Sequence, residues 1–235
     1  MKIHYLQHVQ FEDLANIKTW AAERKHFISA TKFYLHEEPP AVESFDWLIV
    51  MGGPMNIYEE ERYPWLSTEK KFIERTIKSG KFVLGICLGG QLVADVLGGK
   101  ITRNNYKEIG WLQVKKINEG SGLLLHLSDE FMAFHWHGDT FEIPNGATRL
   151  VESEGCANQS FEFGLNVLAL QFHLESSETS IERLIENCRH DMTPGKYVRS
   201  SNEILSGLIH IPKMRTNMNL VLDEMEKRLP DKPLN

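Results

Sequence analysis

The sequence predicts an α/β fold: a mostly parallel sheet flanked by helices on both faces, with antiparallel additions. Three observations carry this. Short unbroken apolar runs, such as Trp47-Leu48-Ile49-Val50-Met51, suit strands buried on both faces. Between the runs lie segments whose apolar residues recur at helical spacing. Glycines mark the switches between the two, as at Gly52-Gly53, Gly80 and Gly98-Gly99.

The elements follow in order. Residues 3–9 alternate as an opening strand, and residues 13–25 read as a helix with Leu14, Ile17, Ala21 and Ala22 on one side. Residues 27–35 form a second strand, and Glu37-Glu38-Pro39-Pro40 a loop. After the run at 47–51, Ser67 is placed to cap a helix ending at Ser79, with Gly80 as its stop. Phe72, Ile73, Thr76 and Ile77 mark its inner face. Residues 81–86 are the next buried strand and 88–97 the next helix. Strand–helix alternation through the first hundred residues argues for parallel pairing. Residues 101–143 alternate polar with apolar, as antiparallel strands do. Residues 166–173 form another buried strand and 177–190 a helix. Met214, Met218, Val221, Leu222, Met225 and Leu229 then share one side of an amphipathic helix. The expected division is a domain over 1–190 and a helical extension over 191–235. That extension either packs on its own domain or forms a dimer or partner interface.

A chain of 235 residues can bury a core without disulfide or metal staples. The net charge of −6, with no long basic run, argues against a nucleic-acid partner. No apolar stretch is long enough to span a membrane, and the N-terminus lacks the apolar segment of a secretory signal. Cys87, Cys156 and Cys188 are odd in number and widely spaced, which suits neither a disulfide framework nor a zinc site. The expected compartment is the reducing cytoplasm.

The strongest local signal is Gly85-x-Cys87-x-Gly89 between a strand and a helix. A nucleophile on so tight a turn needs small neighbours, and the helix N-terminus behind it favours a thiolate. A buried structural cysteine with glycines for packing is the alternative. A cysteine nucleophile needs a base, and the base an orienting acid. His173 ends a buried strand, and Glu175 follows at i+2, on the same side of an extended segment. Leu88 N–H and Gly53 N–H are the candidate oxyanion donors, although Gly52-Gly53-Pro54 alone also reads as an ordinary turn.

Four ordered motifs now stand together: Gly52-Gly53-Pro54, residues 85–91 (Gly-Ile-Cys-Leu-Gly-Gly-Gln), residues 135–139 (His-Trp-His-Gly-Asp) and residues 171–175 (Gln-Phe-His-Leu-Glu). They resemble class I glutamine amidotransferases, most of all the amidotransferase domain of GMP synthase, across Trp47 to about His190. The resemblance implies a flavodoxin-like sheet. It implies that Cys87 attacks the side-chain amide of glutamine, His173 serves as base then acid, and Glu175 orients His173. Gly53 and Leu88 would form the oxyanion hole. Met55, Gln91, Trp136, Gly138 and Asp139 would bind the substrate. Leu174 stands where the family usually has proline, which puts the local turn in question rather than the reactive side chains.

His135 and His137 share a strand face, but the sequence places no third ligand beside them, so no metal is expected. Neither G-x-G-x-x-G nor a phosphate-loop lysine occurs, so no nucleotide cofactor is expected either. Residues past 190 are too few for an ATP-dependent acceptor site. Three readings stay open. A separate synthetase chain takes the ammonia; the chain acts alone as a γ-glutamyl hydrolase on glutamine, peptides or amines; or it binds a ligand or partner without turnover. The acidic stretch 58–63 reads as a solvated loop or as a rim beside Gly53 that disfavours anionic substrates.

Overall fold

The computed structural model describes residues 1–117 and 122–228. The chain runs through β1 (Lys2–Gln7), α1 (Asn16–Glu23), β2 (Phe27–Lys32), β3 (Trp47–Val50), α2 (Trp65–Lys78), β4 (Phe82–Ile86) and α3 (Leu88–Val96). Long strands β5 (Ile101–Lys116) and β6 (Glu130–Phe141) follow, then β7 (Ala147–Ser153), β8 (Ser160–Phe163) and β9 (Val167–Leu170). The described chain finishes with α4 (Glu178–Asn187), β10 (Tyr197–Val198), α5 (Ser201–Ser206) and α6 (Ile211–Lys227).

The predicted class holds. Strands β2, β1, β3, β4 and β9 pair in that order, all parallel. Antiparallel strands β8, β7 and β5 continue the sheet, and β6 folds back on β5. Alternate residues of the parallel strands point to opposite faces, and both faces are covered. On one, Trp47, Ile49, Leu84 and Leu168 meet α1, α4 and α6 through Ile17, Trp20, Leu184 and Met218. On the other, Leu48, Val50, Val83 and Val167 meet α2 and α3 through Leu66, Phe72, Leu92 and Val93. Every residue of β3, β4 and β9 is buried, which is why those runs carry no polar alternation.

Register then sets the site. Val50 lies beside Gly85, and Ile86 beside Leu170. The carboxyl ends of three adjacent strands therefore finish level, and the turns after them share one edge.

Several boundaries differ from expectation for physical reasons. Helix α1 begins at Asn16: the Asp13 carboxylate accepts the Ala15 N–H (2.9 Å), and Ala15 has φ 40°. Residues Phe33–Leu35 form a 3-10 turn instead of strand. Helix α2 starts at Trp65 behind Pro64, with Ser67 inside it, because Trp65 stacks on Phe33 (ring centroids 4.8 Å). That tertiary contact overrides the local capping signal. Ser177 does cap α4, in a reciprocal pair with Ser180. The expected helix to residue 190 stops at Asn187, with a 3-10 turn over Arg189–Asp191.

Met214, Met218, Val221, Leu222 and Met225 are buried against the chain's own core. Leu229, expected on the same stripe, lies outside the described residues. Trp20 Nε1 donates to Asp223 (2.7 Å), and Arg24 pairs with Asp223 and Glu226. Helix α6 is thereby tied to α1. Among the described residues, no helix is long and apolar enough to cross a membrane.

Candidate active site

Cys87 stands between β4 and α3 with φ 53° and ψ −109°, a strained conformation for a residue with a Cβ. Its neighbours must be glycine for packing reasons. A Cβ on Gly89 would strike the Val50 carbonyl, and one on Gly85 the backbone of Gly89. Helix α3 thus lies hard against β3 and presents its N-terminus to the sulfur. Cys87 Sγ–H points at the Trp136 carbonyl (3.6 Å), and Gln171 Nε2 donates to the sulfur (3.8 Å). Gln91 Nε2 donates to Gln171 Oε1 (3.1 Å), which fixes that amide.

Strand β9 ends at Leu170, three residues earlier than expected, so His173 is not a strand residue. An antiparallel bridge to Phe134 of β6 holds it instead, with His173 N–H donating to the Phe134 carbonyl (2.8 Å). His173 Nδ1 donates to Glu175 Oε1 (2.7 Å). Burial disfavours the imidazolium, but the Glu175 charge and hydrogen bonds to Cys87 and Glu175 outweigh it and raise the His173 pKa well above the usual value. The Asn16 N–H donates to the Glu175 carbonyl (2.9 Å), so the start of α1 braces the acid's backbone.

The structure gathers the expected residues. Cys87, His173, Gly53, Leu88, Met55, Gln91, Trp136, Gly138 and Asp139 all line one cavity of about 190 Å³, and Glu175 sits behind His173. Gly53 lies against Leu88 and Met55: a Cβ there would be 3.0 Å from Leu88 Cδ2 and 2.7 Å from Met55 Sδ. Tyr58 OH donates to Asp139 Oδ2 (3.0 Å), which places the acidic loop at the cavity rim.

Among the lining residues that carry no sequence signal are Glu12, Arg103, Lys107 and Cys188. Cys188 lies outside every sequence motif; the fold puts it in the wall. Burial pushes its thiol up to about 12, so it stays protonated. Burial likewise pushes Cys156 up to about 11. Glu12 is raised to about 7, chiefly by burial.

The third donor missing from sequence beside His135 and His137 is supplied by β5. Glu108 is the cross-strand partner of His137, and donor atoms of the three buried residues lie within 4.8 Å of one another. These are the groups that could hold a metal. Glu108 is already engaged, however: Ser153 Oγ donates to it (2.6 Å), as does Gln159, and His137 Nε2 lies 3.0 Å away. His137 Nδ1 donates to the Asp139 carbonyl (3.0 Å). Burial opposes the Glu108 charge, but its hydrogen bond to His137 and the two histidines hold the carboxyl at about 2. Burial drops His135 to about 3.

With that geometry in view, residues 15–192 match the family model for class I glutamine amidotransferases. The chain belongs to this family. It is 32% identical over 213 residues to the glutamine amidotransferase-like protein YfeJ of Salmonella typhimurium, covering 87% of this chain and 89% of YfeJ. It is 30% identical over 161 residues to one subunit of the glutamine-hydrolyzing GMP synthase of Sulfurisphaera tokodaii, covering 65% of this chain and 82% of that relative. The solved glutamine amidotransferase of Methylobacillus flagellatus superposes with a TM-score of 0.93 at 26% identity, over 100% of this chain and 97% of that one. This class I glutamine amidotransferase therefore shares both sequence and fold with its family.

Proposed function

We propose that the protein hydrolyses the γ-amide of glutamine through a thioester on Cys87. The carrying observation is one small cavity whose wall brings together Cys87, at a helix N-terminus, and His173, which Glu175 holds at 2.7 Å. The cavity, about 190 Å³, has room for an amino-acid substrate. Cys87 gives its proton to His173 Nε2, and the sulfur attacks the amide carbon. Gly53 N–H and Leu88 N–H receive the oxyanion. Collapse breaks the carbon–nitrogen bond as His173 returns the proton to the nitrogen, and ammonia leaves. Water, deprotonated by His173, then cleaves the thioester to glutamate. Met55, Gln91, Trp136, Gly138 and Asp139 hold the amino-acid end. Likeness to a GMP synthase subunit supports delivery of the ammonia to a separate synthetase chain in the cytosol. We take residues 191–235 as an extension whose helix α6 braces α1.

The test is glutamate release from glutamine by the purified protein. Cys87→Ala is expected to cut it by about four orders of magnitude, while Cys188→Ser keeps it. A glutamine-mimicking electrophile should label Cys87 and spare Cys188, as mass spectrometry would show. Release unchanged by Cys87→Ala sinks the reading.

A further inference from the structure

Glu12 has no part in the mechanism above. The residue is only 9% exposed and lines the cavity that holds Cys87 and His173. A Cβ built on Gly52 would run into Glu12 Oε2 and sit 3.3 Å from His173 Cε1. Carboxyl and imidazole therefore face each other over that glycine. No group among the described residues donates a hydrogen bond to the Glu12 carboxyl. A buried carboxyl without a donor is costly, and the partner it lacks in the protein is one a ligand can supply.

The nitrogen that leaves must take its proton from His173, so it lies against that ring. Glu12 is the free acceptor beside it. We propose that Glu12 forms the subsite for the N–H groups of the departing amide nitrogen, so that the cavity accepts a carboxamide and rejects the product carboxylate. This rests on the glutamine-hydrolysis reading. Glutamine offers N–H donors to the Glu12 carboxylate, whereas glutamate brings a second negative charge to it. The subsite then does two things: it aligns the nitrogen under His173 and it expels the product.

Ionised Glu12 is the form that makes this distinction. Burial raises its pKa to about 7, against the pull of His173 and His8 and with a push from Glu175. Cys188, which feels the Glu12 charge, stays a neutral thiol, and Arg103, Lys107, Asp139 and Asp191 line the same cavity. Selection for glutamine over glutamate therefore grows as pH rises through that range.

Calorimetric titration of Cys87→Ala protein with glutamine and with glutamate tests this without turnover. At about pH 8.5 glutamine should bind roughly 10- to 100-fold more tightly, and the preference should shrink towards about pH 5.5. Adding Glu12→Gln should collapse the preference to within about threefold at both pH values. A preference that survives Glu12→Gln, with glutamine still bound, overturns the subsite and leaves the glutamine reading standing. If Cys87→Ala binds neither ligand, the glutamine reading itself fails and takes the subsite with it. A kinetic measurement stands beside these. Relative to wild type, Glu12→Asp, which keeps the charge but withdraws it, should lower kcat/KM for glutamine about tenfold. Its effect on γ-glutamyl methyl ester, whose leaving oxygen has no N–H, should be under about threefold. Equal losses on both substrates would mean a merely structural role.

Discussion

Two buried histidine–glutamate pairs flank the Gly52-Gly53 turn, and only one faces the nucleophile. His173 meets Glu175 at 2.7 Å, and His8 meets Glu69 at 2.8 Å. The pairs differ in what the second ring nitrogen sees. For His173 it is Cys87. For His8 it is the Gly52 carbonyl, 2.8 Å from Nδ1. A carbonyl and a carboxylate both only accept, so both nitrogens of His8 must carry protons. Burial opposes that charge, but Glu69, the Gly52 hydrogen bond and Glu12 prevail, and the His8 pKa is raised. The Gly52 carbonyl has no proton to give His8, whereas the Cys87 thiol can hand its proton to His173 and leave a thiolate beside the imidazolium. The same two residue types therefore make a base in front of the turn and a cationic brace behind it. A histidine–carboxylate pair is not in itself a catalytic signature; the third group decides.

Exchanging the readouts would break this comparison. His173→Ala should lower glutamate release by about four orders of magnitude, and His8→Ala by no more than about tenfold. Comparable losses would erase the distinction. In urea unfolding the order should reverse: His8→Ala strands the fully buried Glu69 carboxylate and should lose roughly 3–5 kcal/mol of stability. The pH dependence sharpens it further. Because the folded pKa of His8 is raised above 6.5, its contribution is complete below that value and is lost as pH rises through the folded pKa. The gap in stability between wild type and His8→Ala should narrow on the alkaline side. The smallest effect concerns the third pair. Glu108 is depressed from 4.5 to about 2, so its contribution is full above 4.5 and lost as pH falls from there. Glu108→Gln should flatten that acid limb by a few degrees of Tm.

The sheet and Cys87 were legible because their signals are local. Full burial of β3, β4 and β9 writes itself as apolar runs, and the close approach of α3 to β3 demands the glycines around Cys87. His173 was legible as a residue but not as geometry: it sits past its strand, fixed by Phe134 some forty residues earlier. Glu12, the His8–Glu69 pair and Glu108 were illegible. Each is placed by residues far along the chain, 61 residues away for Glu69 and His8, and a lone acidic residue in a polar stretch looks solvated. Ser67 misled for the converse reason, since a local capping signal was outweighed by the Trp65–Phe33 stack.

The backbone at Cys87 has a consequence for descent. Its φ of 53° is tolerated by cysteine and natural to glycine. Only the need for a sulfur atom keeps a side chain there. In a lineage freed from that need, mutation to glycine would relieve the strain, and drift would have a preferred direction. Loss of the reaction would then arrive as a gain in robustness, and the inactive descendants would outlast their parent on heating.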